Sequence, residues 1–356
     1  MSAEAAVFEH IATTRLPQLQ TAGGLFRATP RVDQVGEDVA GPDAGTLGAG
    51  AIVLLGLLRA DEVGLAHPFS TGALRTRILG DLGGPGTDPG ELGLTLWAES
   101  RADGGAIGEI TKLISREAEA GFERTPLEQL AWLVSGLTAA SERAGGERTT
   151  ELLDRTEEEL LARTASGTGL MHDPHHRIGG GLTPIAGQFH SLIALEQLVR
   201  SERGESDREP ARRLATALLD LQRDDGSWPG IVDSIRGEAA ALYPVLTVTQ
   251  VALAPIALRG AGNLGLEGDF DAAVRRSLAW AGGANRLGFN LIHEQEARLD
   301  RGILPRREPG AFSRGLSTAA RRLRGRMAEP EPDRLILDPE VSSEDLGWLL
   351  EAWAGR

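Results

Sequence analysis

Residues 218–230 read LLDLQRDDGSWPG. The apolar helical spacing of Leu218, Leu219 and Leu221 stops at Gln222, Asp224-Asp225-Gly226 forms a turn, and Trp228-Pro229 closes it. A glutamine amide both donates and accepts, so Gln222 can satisfy backbone groups left open at a helix end. Gly226 supplies the permissive backbone that a tight exit needs. Trp228 can lie across the helix end and shield those bonds from water. The stretch predicts a stapled helix end, a device of architecture rather than chemistry.

Apolar periodicity outward from this point is helical. It covers residues 5–19, 46–60, 71–82, 91–101, 107–118, 126–144, 149–164, 184–199, 209–222, 239–258, 270–281 and 343–354. Start signals mark several of these segments: Asp88-Pro89, Thr125-Pro126 followed by Glu128, Thr183-Pro184, and Ser342-Ser343-Glu344. Strand patterns are scarce, and the β-branched run 245–251 lies inside a longer helical pattern. Glycine clusters at 83–84, 104–105, 145–146, 179–181 and 282–283 punctuate the helices. Many helices joined by short loops make hairpins, and six hairpins make an all-α fold, the α/α toroid, with an inner helical ring around a central cavity. A bundle or a solenoid is the plainer alternative, although no fixed-period repeat supports a solenoid. The expected organisation is an N-terminal helix and loose connection over residues 1–45, a toroid over 46–326, and a linker with a C-terminal helix over 327–356.

Composition narrows the function classes. The chain has 356 residues, 41% of them hydrophobic, which is enough for a sizeable core. A formal net charge of −14 argues against a nucleic-acid partner. No segment approaches the roughly 20 apolar residues of a membrane span, which leaves only peripheral membrane contact open. The N-terminal MSAEAAVFEH lacks the pattern of a secretion signal, and there is no cysteine. A cytoplasmic chain acting on a small molecule is the expectation, with no cofactor implied and the oligomeric state undetermined.

Gln222, Gly226 and Trp228 match the Q-x-x-x-G-x-W element, and the chain in this respect resembles the terpenoid cyclases and protein prenyltransferases. Leu218 fits the aliphatic position four residues before the glutamine, whereas Ala217 stands where the family has an aromatic residue. The resemblance covers about a dozen residues in one copy and implies an α/α toroid with a central cavity. Glycan-active toroids end helices with similar LQ-x-DG-x-W turns. The family's D-x-D-D acid motif is missing: Asp269-Phe270-Asp271 lacks the following acid and begins a helix. The diphosphate-binding D-D-x-x-D is missing too, because Gly, Ser and Trp follow Asp224-Asp225. Aromatic residues make up 4% of the chain, few for guiding a carbocation by ring faces.

Three polar constellations could carry chemistry. Residues 169–190, GLMHDPHHRIGGGLTPIAGQFH, hold His172, Asp173, His176 and His190, with Gln188 in the first turns of the following helix. Histidine suits acid–base work near neutral pH; the plainer reading is a solvated loop. The spacing of His172, Asp173 and His176 fits no specific ligand pattern, so no metal is expected. Residues 237–250, GEAAALYPVLTVTQ, place Glu238 at a helix start and Tyr243 and Gln250 on an apolar helix. Glu238 could be a general acid, or could simply favour a helix N-terminus. Residues 289–308 offer His293 with Glu294 or Glu296 as base and orienter, against the alternative of an exposed charged helix.

The resulting expectation is a toroid enzyme with acid–base chemistry at its cavity. The catalytic candidates are Asp173, His172, His190, Glu238, Tyr243 and His293; His176, Gln188, Gln250 and Glu294 would bind substrate. The resemblance implies an isoprenoid-type substrate and cyclisation, isomerisation or hydration. A carbohydrate-active toroid, whether hydrolase, lyase or isomerase, is the alternative. It would set Asp173 and Glu238 across a sugar, roughly 5–9 Å apart if a glycosidase. A third reading, a binding or scaffold protein that keeps the fold, would go with a filled interior.

Overall fold

The computed structural model describes residues 3–27, 45–84, 87–165, 167–174, 181–201, 208–306 and 329–356. Twelve α-helices run through them in two alternating sets. One set is α2 (Leu47–Glu62), α4 (Pro89–Arg101), α6 (Leu127–Ala144), α8 (Ile185–Arg200), α10 (Ala254–Asn263, preceded by a π-helical turn Thr249–Leu253) and α12 (Ser343–Trp353). Each packs on the next, and α12 returns to α2, so they close a ring. The other set is α1 (Ala3–Leu19), α3 (Thr71–Gly80), α5 (Ile107–Glu117), α7 (Glu147–Ala162), α9 (Arg208–Leu221) and α11 (Phe270–Ala279). These back the ring from outside, with α1 lying on α12. The protein is an α/α toroid, as the helical hairpin pattern predicts.

The sequence explains which helix goes where. On α7 the buried residues are Thr149, Leu152, Leu153, Thr156 and Leu160, the single stripe of an outer helix. On α4 every residue from Leu92 to Ser100 is buried, as a helix enclosed on all sides requires. The ring is tight because its helices meet backbone to backbone at glycines. A Cβ on Gly136 of α6 would stand 2.1 Å from the Gly93 carbonyl oxygen of α4. One on Gly56 of α2 would stand 2.4 Å from the Gly347 carbonyl oxygen of α12.

Alternation also makes all inner helices run the same way, so their N-termini share one end of the toroid. The connections into inner helices are the longer ones, and among the described residues they carry ten short strands in four antiparallel sheets. The sheets are β1 (Phe26–Arg27) with β2 (Gly45–Thr46), and β3 (Leu182–Pro184) with β4 (Ile231–Asp233) and β5 (Glu238–Ala241). Next come β6 (Val245–Leu246) with β9 (Gly302–Pro305) and β10 (Leu335–Asp338), and then β7 (Ile292–His293) with β8 (Arg298–Leu299). The helix expected over 239–258 is corrected here. Residues 238–241 pair with β4, with Asp233 opposite Glu238 and Ile231 opposite Ala241, and the helical turns begin only after β6. Pro244 lacks an N–H and disfavours helical backbone at Tyr243, which separates the two parts. Against the alternative of a charged helix over 289–308, residues 292–299 likewise form two short strands around a 3₁₀ turn, Glu294–Glu296, and residues 307–308 lie outside the described residues.

Helix starts follow the caps in part. Asp88 accepts from the Glu91 amide at 2.8 Å, and Ser342 with Asp345 forms a reciprocal capping box. At α6 and α8 the cap positions are Pro126 and Pro184, without side-chain caps. Among the described residues no helix is long and apolar enough to cross a membrane.

Two predictions follow from the packing. Gly136→Ala should lower stability by about 1–3 kcal/mol in chemical denaturation, as overpacking of a closed core does. Glu196 of α8 is fully enclosed, and its Oε1 has no hydrogen-bond partner. Burial pushes its carboxyl well above the ordinary range, against the opposing charge of Arg200. The folded state then holds a proton that the unfolded chain releases, so this group's contribution to stability falls as pH rises above the ordinary carboxylate range. Thermal unfolding should show Glu196→Gln gaining on the wild type between pH 5 and pH 8; a constant difference would contradict the neutral buried acid.

Candidate active site at the N-terminal ends of the inner helices

His190 stands in the second turn of α8 and is buried. Its Nδ1 accepts a hydrogen bond from Trp132 Nε1 of α6 at 3.2 Å. Its Nε2 lies 3.3 Å from Glu128 Oε1, one turn before Trp132 on the same helix. The imidazole meets Trp132 edge to face, with centroids 5.4 Å apart, and Trp348 of α12 at 5.1 Å. Trp97 of α4 lies 6.1 Å beyond Trp348. Four rings from four inner helices thus meet inside the ring of helices, and all four are buried. The Glu128 side chain is 37% exposed, so it presents the group to the outside while His190 stands behind it.

The structure distributes the expected site residues unevenly. Asp173 is buried beside this cluster, where its Oδ2 accepts from the Leu127 amide at 3.3 Å and ties the connection before α8 to the start of α6. Gln188 is a brace: its amide donates to the Met171 carbonyl at 2.7 Å and accepts from the Met171 N–H at 2.8 Å. That closes the same connection onto α8. His172 is half-buried, with its Nδ1 without a hydrogen-bond partner. His176 lies outside the described residues, as does most of the glycine loop that follows it.

The second constellation sits elsewhere. Glu238 is on a strand, 59% exposed, with Arg236 3.7 Å away. A carboxylate so placed on an exposed hairpin does not have the environment of a general acid, which corrects the helix-start expectation. Tyr243 is buried under the Arg223 guanidinium, which lies 5.6 Å above its ring. Burial pushes its hydroxyl above the ordinary tyrosine range, while Arg223 pulls the other way. Gln250 accepts from the Trp228 amide at 3.1 Å, a structural bond at the stapled turn. In that turn Gln222 donates to the Gly226 carbonyl at 2.9 Å and to the Ala273 carbonyl at 2.8 Å, which joins α9 to α11. Trp228 donates to the Leu218 carbonyl at 2.6 Å.

His293 pairs with Asp300 at 3.0 Å rather than with Glu294, which points to solvent. His293 and Glu294 line a surface groove of about 490 Å³ that also includes Glu4, Phe8 and Asn290. Among the described residues no three His, Asp or Glu side chains are grouped as metal ligands would be. Of the catalytic candidates, only His190 belongs to the axial cluster, with Asp173 packed beside it. Sequence reasoning missed Glu128 and Trp132. Glu128 reads as an ordinary first-turn acid, and Trp132 as core; the usable signal was their spacing of four on a helix that faces the histidine-bearing one.

No protein-family model matches the chain, and no curated protein sequence matches it. Solved structures do match its fold. A sugar epimerase from a ruminal bacterium superposes with a TM-score of 0.63 at 9% identity, over 98% of this chain and 97% of that one. Cellobiose 2-epimerase from Bacillus thermoamylovorans gives 0.63 at 10% identity, over 99% of each chain. An unsaturated glucuronyl hydrolase from a Bacillus species gives 0.61 at 14%, over 98% of this chain and 94% of that one. These likenesses show the α/α-toroid fold along the whole chain. The toroid part of the Q-x-x-x-G-x-W resemblance therefore stands; its terpenoid part finds no support in them.

Two substitutions separate brace from surface. Gln188→Ala should cost about 1–3 kcal/mol, because it leaves the buried Met171 N–H unpaired and its carbonyl with only the long bond from Thr183 Oγ1 at 3.4 Å. Glu238→Gln should stay within about 0.5 kcal/mol of wild type, as exposed positions do. Urea titration of both variants reads the contrast.

Proposed function

We propose that the protein is a carbohydrate-active enzyme that moves a proton at a sugar held over the N-terminal ends of the inner helices. The observation that carries this is the pair between α6 and α8, a half-buried Glu128 carboxylate backed by a buried His190 at 3.3 Å. Glu128 is the proton acceptor or donor, and His190 holds it in place. The fold likeness to sugar epimerases and a glucuronyl hydrolase supports the carbohydrate class over the isoprenoid one. A single half-buried carboxylate backed by a buried imidazole suits proton removal and return at a carbon next to a carbonyl, which is isomerase or epimerase chemistry, better than hydrolysis. A hydrolase needs two carboxyl groups facing one bond, and Asp173 and Glu238 are differently employed.

The four buried rings that meet inside the ring favour a second reading, a binding or scaffold protein, and one experiment addresses both. Incubation with aldoses and disaccharides in D₂O, followed by proton NMR, reads proton exchange at C2; new reducing ends read hydrolysis. Glu128→Gln should lower the exchange rate by at least about 100-fold, the usual contribution of a general acid–base group. Saturation-transfer NMR on the same sugars with no turnover would favour the binding reading, and neither signal would sink the carbohydrate assignment.

A further inference from the structure

We infer that Trp132 is a positioning residue that locks His190 in one tautomer and so turns its single proton toward Glu128. The inference rests on the reading of Glu128 as the acting carboxylate. An indole N–H only donates. With Trp132 Nε1 3.2 Å from Nδ1, that ring nitrogen must offer its lone pair. A neutral imidazole carries one N–H, which is then on Nε2. Nε2 is the nitrogen 3.3 Å from Glu128 Oε1. A proton on Nδ1 would face the indole N–H, donor against donor.

The packing leaves the ring little choice. His190 is 2% exposed, so water cannot stand in for the indole. Trp348 lies against the ring at an interplanar angle of 52° and holds its orientation. Glu128 and Trp132 both come from α6, one turn apart, so one rigid helix grips the two nitrogens of a side chain carried by α8. The arrangement puts the protonated nitrogen on the side of the carboxylate, 3.3 Å from it, without exposing the imidazole.

Long-range proton–nitrogen NMR on the full chain with ¹⁵N-labelled histidine tests this at neutral pH, with the His190→Gln spectrum assigning the signal. Wild type should show His190 protonated at Nε2 and bare at Nδ1. Replacing Trp132 with benzothienylalanine keeps the bicyclic shape and removes only the N–H. It should narrow the gap between the two nitrogen shifts as the second tautomer fills, and Trp132→Phe should do the same. Trp348→Phe, which removes packing but no donor to His190, should keep the wild-type tautomer. A wild-type ring protonated at Nδ1, or an unchanged tautomer in the benzothienylalanine protein, overturns the inference. The readout needs no substrate, so a failure to find sugar chemistry would count against the proposed function and not against this lock.

Discussion

The close approach of the inner helices is the constraint on which the rest of the molecule depends. Where α4 meets α6, Gly136 faces the Gly93 carbonyl with no room for a methyl group, and α2 meets α12 in the same way at Gly56 and Gly347. Helices that touch at their backbones leave a narrow axis. Side chains from opposite walls then reach each other, and Trp97, Trp132, His190 and Trp348 close the middle. A wider ring would separate His190 from Trp132 and Trp348, and with them the pair that gives the protein its proposed chemistry.

The outer ring is held to that inner ring by smaller devices. Gln222 spans two outer helices through the Gly226 and Ala273 carbonyls. Gly226 takes a φ of +90° there and lies so near the Arg276 carbonyl that a side chain would collide. Trp228 covers the end of α9 and meets Phe189 of α8 edge to face at 5.2 Å. Phe189 is the neighbour in sequence of His190, so the staple and the candidate site share one inner helix.

The sites are less legible in the sequence than the fold. His190 stands out as one of a histidine cluster, and Gln188 is visible as its neighbour on the helix. Glu128 does not stand out, because an acid in a first turn is what any helix dipole favours. Glu238 misled for the opposite reason: the apolar run after it has helical spacing, yet its backbone bonds to β4, a partner that periodicity cannot see. His293 reads as a partner of Glu294 by proximity in sequence, whereas the turn between β7 and β8 brings it to Asp300.

Local chemistry in the chain was sufficient for the helices, most of their boundaries, the stapled turn and the division into one-faced and fully buried helices, hence the toroid. These features depend on neighbours three, four or seven residues apart, and such spacings are written in the sequence. Which polar groups meet was decided only by the tertiary structure. Glu128 and His190 are brought together by the packing of α6 against α8, and the tautomer of His190 follows from an indole 58 residues away. Contacts of that kind depend on how closely two helices approach, a distance that the packing of the whole closed ring decides.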